Sequence, residues 1–241
     1  MQEEKITILI PARMDSTRFP GKPLAPIDGI PMIIYCARNA IKTGIDVYVC
    51  TDSKEIVTIC DLYNIKSIIT PECDTGTDRV SLAAGQLNTK YVINLQGDEP
   101  LIDANSLQQI IKMIPTLNGK NNYIINGVNA INSEEAFDPN NVKCALIKNE
   151  SQVQYLSRKP LLNNTEIESG KCYYKQLGLY AMTYETLKEF SSLPKGKIES
   201  AERIEMMRWI ENGNTILSCL IDRETISVDT PNDLVKVLTR K

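Results

Sequence analysis

Three cations, two hydroxyls and a glycine crowd into residues 12–23, where Arg13, Ser16, Thr17, Arg18, Gly21 and Lys22 follow a short apolar run. Backbone N–H groups in a tight loop, ringed by Arg13, Arg18 and Lys22, suit a di- or triphosphate. The same cations also suit a solvated loop on an acidic protein. Neither GxGxxG nor GxxxxGK occurs, so the dinucleotide fingerprint and the P-loop are both absent. Two carboxylates stand at comparable turns. Asp98 follows an apolar stretch and Gly97, and Asp229 follows a later apolar stretch and precedes Thr230-Pro231. Carboxylates at the ends of two strands can meet across a cleft and hold Mg²⁺, a hard cation that keeps waters and substrate phosphates in its shell. On spacing alone, Asp229 reads first as the N-cap of a helix starting at Pro231. Gly97-Asp98-Glu99-Pro100 is a poor helix start, which leaves Asp98 to chemistry.

The chain has no histidine among its 241 residues. That excludes Ser-His-Asp and Cys-His triads, HExxH zinc sites and a His general base. The seven cysteines form no CxxC pair, and without histidine a zinc site has no partners, so reduced and mostly buried thiols are expected. A formal net charge of -3 gives no basic field for nucleic acid or an anionic membrane. Acids at positions 3 and 4 stand where a signal peptide carries cations, and no apolar run has the ~20 residues of a membrane span. A cytoplasmic protein that neither enters a membrane nor binds nucleic acid is the expectation.

These residues need a frame. Residues 5–11, 45–51, 66–69 and 91–95 read as strands, and 31–42, 52–63, 77–87 and 103–114 as the helices between them. Repeated β-α units predict a parallel sheet with helices on both faces, whose ligands bind beyond the strands' carboxyl ends. The second half is less regular. Strands are expected at 123–131, 142–147, 152–156, 175–182 and 215–221, a polar, turn-rich mobile loop at 159–171, a strong helix at 198–211 and a last helix at 231–238 capped by Asp229 or Thr230. The expectation is one α/β domain over 1–241, with a Rossmann-like, mostly parallel sheet and an inserted β-rich arm at about 123–182 for the acceptor or for dimerisation.

The block from Ile10 through Pro11-Ala12-Arg13 to Pro20-Gly21-Lys22-Pro23-Leu24 strongly resembles the opening of the 3-deoxy-manno-octulosonate (KDO) cytidylyltransferases, the CMP-KDO synthetases. Further blocks agree in order, among them Thr75-Gly76-Thr77-Asp78-Arg79, Gln96-Gly97-Asp98-Glu99-Pro100, Leu156-Ser157-Arg158, Gly178-Leu179-Tyr180 and Val228-Asp229-Thr230-Pro231. They span nearly the whole chain. The resemblance implies a fold of the nucleotide-diphospho-sugar transferase type and transfer of CMP from CTP to an acidic keto sugar, with release of pyrophosphate. It implies Mg²⁺ on Asp98 and Asp229, with Lys22 and Arg13 holding the triphosphate beside the catalytic Asp98. It places Ala12, Arg13, Ser16, Lys22, Thr75 and Arg79 around the nucleotide, and Gln96, Arg158, Gln176, Tyr180 and Glu205 around the acceptor. It also implies a homodimer.

The acceptor side departs from the family pattern. Lys175-Gln176 stands where an Arg-His pair is usual, and a Gln cannot become a cation beside an acidic sugar. Met206 stands where a sugar-binding Gln is expected, although the Ile204/Met207/Ile210 spacing also allows it a core role. The segment between Arg158 and Lys175 is shorter than usual. These changes point to a keto sugar acid other than KDO itself, such as an 8-amino analogue. Three competing readings are a glycosyltransferase, which usually carries Asp-x-Asp after an inner strand, a non-catalytic nucleotide-binding descendant, and a nucleic-acid adaptor. The intact Asp98, Asp229, Arg13 and Lys22 weigh against the second, and the lack of a basic, aromatic surface against the third.

Overall fold

The computed structural model describes residues 5–120, 122–161 and 173–240. Apolar β-branched runs form β1 (Ile6–Pro11), β4 (Asp46–Thr51), β5 (Ser67–Ile69) and β6 (Tyr91–Leu95), and a short hairpin, β2 (Pro26–Ile27) and β3 (Ile30–Pro31), follows β1. Helices α1 (Met32–Ile41), α2 (Lys54–Leu62), α3 (Gly76–Ala84) and α4 (Ala104–Met113) alternate with them. Ser53, Thr75 and Asp103 cap α2, α3 and α4, each side chain accepting a backbone N–H of the first turn. The order β5-β4-β1-β6 is parallel throughout, as the β-α alternation requires.

The second half contains β7 (Tyr123–Ile131), α5 (Ser133–Phe137), β8 (Lys143–Ile147), β9 (Gln152–Ser157), β10 (Tyr173–Thr183), α6 (Tyr184–Ser192), α7 (Lys197–Glu202), α8 (Met207–Glu211), β11 (Thr215–Leu220) and α9 (Pro231–Thr239). Here the expectation needs two corrections. The sheet is mixed rather than mostly parallel: β10 runs antiparallel to β6, β7 and β8, while β11 is parallel to β7. The β-rich segment is also no separate arm. Its strands continue the same nine-stranded sheet in the order β6-β10-β7-β11-β9-β8, and β8 returns to the start of β10, pairing Tyr174 with Cys144. The sheet thus closes on itself at one end.

The helix expected over 198–211 is broken. Arg203 lies in the left-handed region at φ 56°, and α7 stops there. In an unbroken helix Glu199 and Arg208, nine residues apart, would face about 180° away from each other. The break lets Arg208 donate to both carboxylate oxygens of Glu199, at 2.9 and 2.7 Å. Two apolar clusters cover the sheet's faces, one under α1, α2, α4 and α9, the other under α3, α6 and α8. The six described cysteines are free and all but Cys73 are buried. No helix among the described residues is long and apolar enough to cross a membrane. The loop expected over 159–171 falls from residue 162 onward outside the described residues.

Candidate active site

Beyond β1 the chain turns back on itself. Ala12 N–H donates to Cys50 O at 2.9 Å, which holds the loop start against β4. Gly21 sits at φ 69°, a left-handed turn that a side chain resists, and starts a single 3-10 turn over Lys22–Leu24. That turn aims Lys22 inward, where its Nζ donates to Asp98 Oδ2 at 2.7 Å and lies 3.5 Å from Asp229 Oδ1. Arg18 reaches the same Asp229 oxygen at 3.0 Å and also donates to Asn140 Oδ1 at 3.3 Å.

The two aspartates are held as neighbours by backbone. Val228 N–H donates to Asp98 O at 2.8 Å, pinning the turn after β6 to the segment leading into α9. Gly97 permits that turn: a Cβ there would lie 2.9 Å from Pro11 O. Thr230, not Asp229, caps α9, through a capping box with Asp233. Asp229 is therefore left free of the capping role. Two carboxylates that already share one ammonium make a hard-oxygen donor pair for a divalent cation, and no larger group of His, Cys, Asp or Glu forms among the described residues. Such a pair fits Mg²⁺, which takes its other ligands from water and phosphate. Burial alone would lower the Lys22 ammonium, but the adjacent Asp98 and Asp229 outweigh it and raise its pKa.

A cleft opens over this cluster and brings together Ala12, Arg13, Ser16, Lys22, Thr75 and Arg79 with Gln96 and both aspartates. Arg13 is exposed. Arg79 is 2% exposed and already engaged: it donates to Thr70 Oγ1 at 2.6 Å and Asp52 Oδ2 at 2.6 Å. It holds the turns after β4 and β5 against α3 and forms wall rather than a free cation. Thr75 likewise donates to Asp78 Oδ2 at 2.7 Å while capping α3.

A second, smaller pocket lies beside the first, lined by Arg158, Gln176, Tyr180, Glu99 and Lys175. Asp229 lines both. A bulge in β10 between Gln176 and Tyr180 shapes its floor. Buried Asn126 of β7 clamps that bulge, donating to Leu177 O at 3.0 Å and Leu179 O at 3.1 Å while accepting Gln176 Nε2 at 3.2 Å. Gln96 is wedged between two glycines: a Cβ on Gly76 or on Gly178 would come within 2.8 Å of its side chain. It lines the first cleft only. Arg158 is held by Glu202 O, Pro139 O and Arg203 O, so part of its donor set is already used.

One acceptor candidate, Glu205, is placed elsewhere, and the departure at Met206 has a packing role. Glu205 lines neither pocket and accepts Thr77 N–H at 3.2 Å at the start of α3; burial raises its pKa. Met206 is 1% exposed inside the cluster with Trp209 and Leu156, so its role is packing. Sequence reasoning missed Glu99, Lys175 and Asn126. Their only signal was polarity inside apolar strands or beside a singled-out residue. Glu99 is 1% exposed, with its pKa pushed up to about 7 by burial and by Asp98.

The cytidylyltransferase family model matches residues 7–216. The chain belongs to the cytidylyltransferase family. As a member it is a nucleotidyltransferase enzyme. An 8-amino-3,8-dideoxy-manno-octulosonate cytidylyltransferase of Shewanella baltica is 38% identical over 237 residues, 96% of each chain. A solved structure of CMP:2-keto-3-deoxy-manno-octonic acid synthetase in complex with CTP is 32% identical, with a TM-score of 0.86 over 98% of this chain and 97% of that one. A cytidylyltransferase structure from Leptospira borgpetersenii shares the fold at 17% identity, TM-score 0.66, over 98% of this chain and 86% of that one. The glycosyltransferase and nucleic-acid-adaptor readings fall away with this membership.

Proposed function

We propose that this cytidylyltransferase moves CMP from CTP to a KDO-type ulosonic acid, with the 8-amino analogue as its preferred acceptor. The observation that carries this reading is Asp229, which lines both the cationic cleft and the smaller pocket while facing Lys22 and, across it, Asp98. A nucleotide in the first cavity and a sugar acid in the second would bring their reacting ends to that shared wall. The relatives' names and the Gln176 substitution support the choice of acceptor.

The chemistry is an in-line displacement. An acceptor hydroxyl attacks the α-phosphorus of CTP and gives up its proton to water, the bond from that phosphorus to the bridging oxygen breaks, and pyrophosphate carries the electron pair away. Asp98 and Asp229 would hold Mg²⁺, which supplies Lewis-acid stabilisation of charge on the transferring phosphate. Lys22, Arg13 and Arg18 bind the triphosphate and offset its charge. The rigid turn at Gly97 and the bond from Val228 to Asp98 hold both carboxylates in place before substrates arrive, so little reorganisation is left for the reaction itself. Arg158 keeps spare N–H groups for the acceptor's carboxylate, and Gln176 can donate to a hydroxyl.

The deciding assay supplies CTP, Mg²⁺ and either KDO or its 8-amino analogue, and reads pyrophosphate release. Turnover with a kcat/KM about tenfold or more higher for the amino sugar is expected. A clear preference for KDO would overturn the acceptor assignment. No pyrophosphate with either sugar would overturn the reaction.

A further inference from the structure

We propose that Glu99 binds the sugar acid directly, its Oε2 accepting a hydrogen bond from a donor on the substrate. This rests on the reading above that the smaller pocket holds the acceptor. Glu99 belongs to the wall of that pocket and is 1% exposed. Its Oε1 is fully used: it accepts Gly178 N–H at 2.8 Å and Ser227 Oγ–H at 2.6 Å. Its Oε2 is buried and has no partner among the described residues. A buried carboxylate oxygen without a donor is costly, and in native proteins such an atom calls for a reason. Lys175, a cation on the same pocket wall, donates to Thr225 O at 2.7 Å and makes no hydrogen bond to Oε2.

The carboxylate cannot swing away to find another donor. Oε1 ties it to the β10 bulge on one side and to the segment carrying Asp229 on the other. A Cβ on Gly178 would lie 3.1 Å from Glu99 Cγ, so the side chain is packed close against the bulge backbone. Glu99 is thus a fixed acceptor at the border of a pocket that it shares with the donors Arg158, Lys175 and Gln176 and with a second carboxylate, Asp229. A substrate rich in hydroxyls or bearing an ammonium supplies the missing partner. Both sources share one chemistry, an N–H or O–H aimed at a carboxylate.

Glu99→Gln is the test, because Gly178 N–H demands an acceptor and therefore orients the new amide. The carbonyl keeps both existing bonds, and an NH₂ replaces Oε2. The steady-state KM for the sugar acid should rise about tenfold or more, with the KM for CTP within about twofold and thermal stability not lowered. An unchanged sugar KM overturns the inference, since a merely structural carboxylate would be replaced without loss. Comparing KDO with its 8-amino analogue separates the sources: equal losses identify a donor common to both sugars, and a loss confined to the amino sugar identifies the ammonium. Should Glu99→Gln fail to fold, Ser227→Ala loosens the same carboxylate without removing it. A sugar KM raised about threefold supports the inference there, and an unchanged one overturns it. Wild-type enzyme that releases no pyrophosphate with any sugar acid is a different failure, of the reaction and not of Glu99.

Discussion

Two of the cavities that meet at Asp229, the cationic cleft and the smaller pocket, are built in opposite ways. The proposed nucleotide side uses charged side chains on a loop and at turns: Arg13 and Arg18 are exposed, and Lys22 crosses to two carboxylates. The proposed sugar side uses buried and half-buried polar groups already committed to backbone. Asn126 clamps the bulge, Lys175 holds Thr225, and Arg158 is tied to three carbonyls. A side that binds a highly charged, shared donor needs charge at the right place. A side that tells one sugar from another needs fixed donors and acceptors, because a buried polar group left unpaired by the wrong ligand is heavily penalised. The contrast predicts that substitutions on the first side cost turnover and donor affinity, and substitutions on the second cost discrimination.

Asp98→Ala should give the largest effect. Loss of one of two converging carboxylates should cut kcat by about 10³-fold or more in a pyrophosphate-release assay. The fold should survive, because among the described residues the side chain's only partner is Lys22, and circular dichroism with a melting curve checks that. Near-normal turnover with CTP and Mg²⁺ would remove the carboxylate pair from the mechanism. Lys22→Ala should come next. It should raise the KM for CTP about 10²-fold while moving the sugar KM by less than about threefold. Equal losses on both substrates would erase the distinction between the two cavities.

The same contrast explains what the sequence made legible. Asp98 could be singled out because a carboxylate at the end of an apolar strand has few structural uses, Lys22 because cations crowd the loop after β1, and Asp229 only through the family resemblance, since its spacing alone read as a helix cap. The β-α alternation of the first half was equally plain, because each strand is a short apolar run and three of the four helices open on a capping Ser, Thr or Asp, with α1 opening on Pro31 instead. The sugar side hid its logic in backbone. The bulge after Gln176 leaves no mark in the apolar pattern, and Asn126 looks like an interruption of β7 rather than its purpose. The break at Arg203 was masked for a related reason. The Ile204/Met207 spacing satisfies a helix locally, and the long-range pair of Glu199 with Arg208, backed by Asp78 at 3.8 Å, prevails over it. Met206 then turned out to pack against Trp209, so the departure at 206 says less about the acceptor than the one at 176 does. Helix α6 was missed although Thr183 caps it and Leu187 and Phe190 face the core, a short pattern overshadowed by the strand before it.

A smaller effect sharpens the comparison. Gly178→Ala puts a methyl within 2.8 Å of Gln96 Cβ and 3.1 Å of Glu99 Cγ, neither of which is the far end of a flexible chain. The bulge must shift, and Glu99 and Gln176 with it. The sugar KM should rise about tenfold and the melting temperature fall by a few degrees, with CTP binding by calorimetry changed less. If CTP binding falls as far as sugar binding, the bulge serves both cavities, and the division drawn at Asp229 is misplaced.

The smallest expected effect concerns Glu205, expected beside the sugar and found instead at the start of α3. Burial raises its pKa above the ordinary value of 4.5, against the opposing pull of its hydrogen bonds to Thr75 and Thr77. A carboxyl raised on folding binds a proton that the unfolded chain has already released. Its contribution to stability is therefore present at low pH and declines as pH rises above about 4.5. Glu205→Gln keeps an acceptor for Thr77 N–H and removes the titration. The melting temperature of wild type relative to this variant should accordingly fall between pH 5 and pH 8, by a few degrees at most. The sugar KM of Glu205→Gln should stay close to wild type, because the side chain borders neither cavity. A large rise in that KM would return Glu205 to the acceptor side and make the sugar pocket reach across α3.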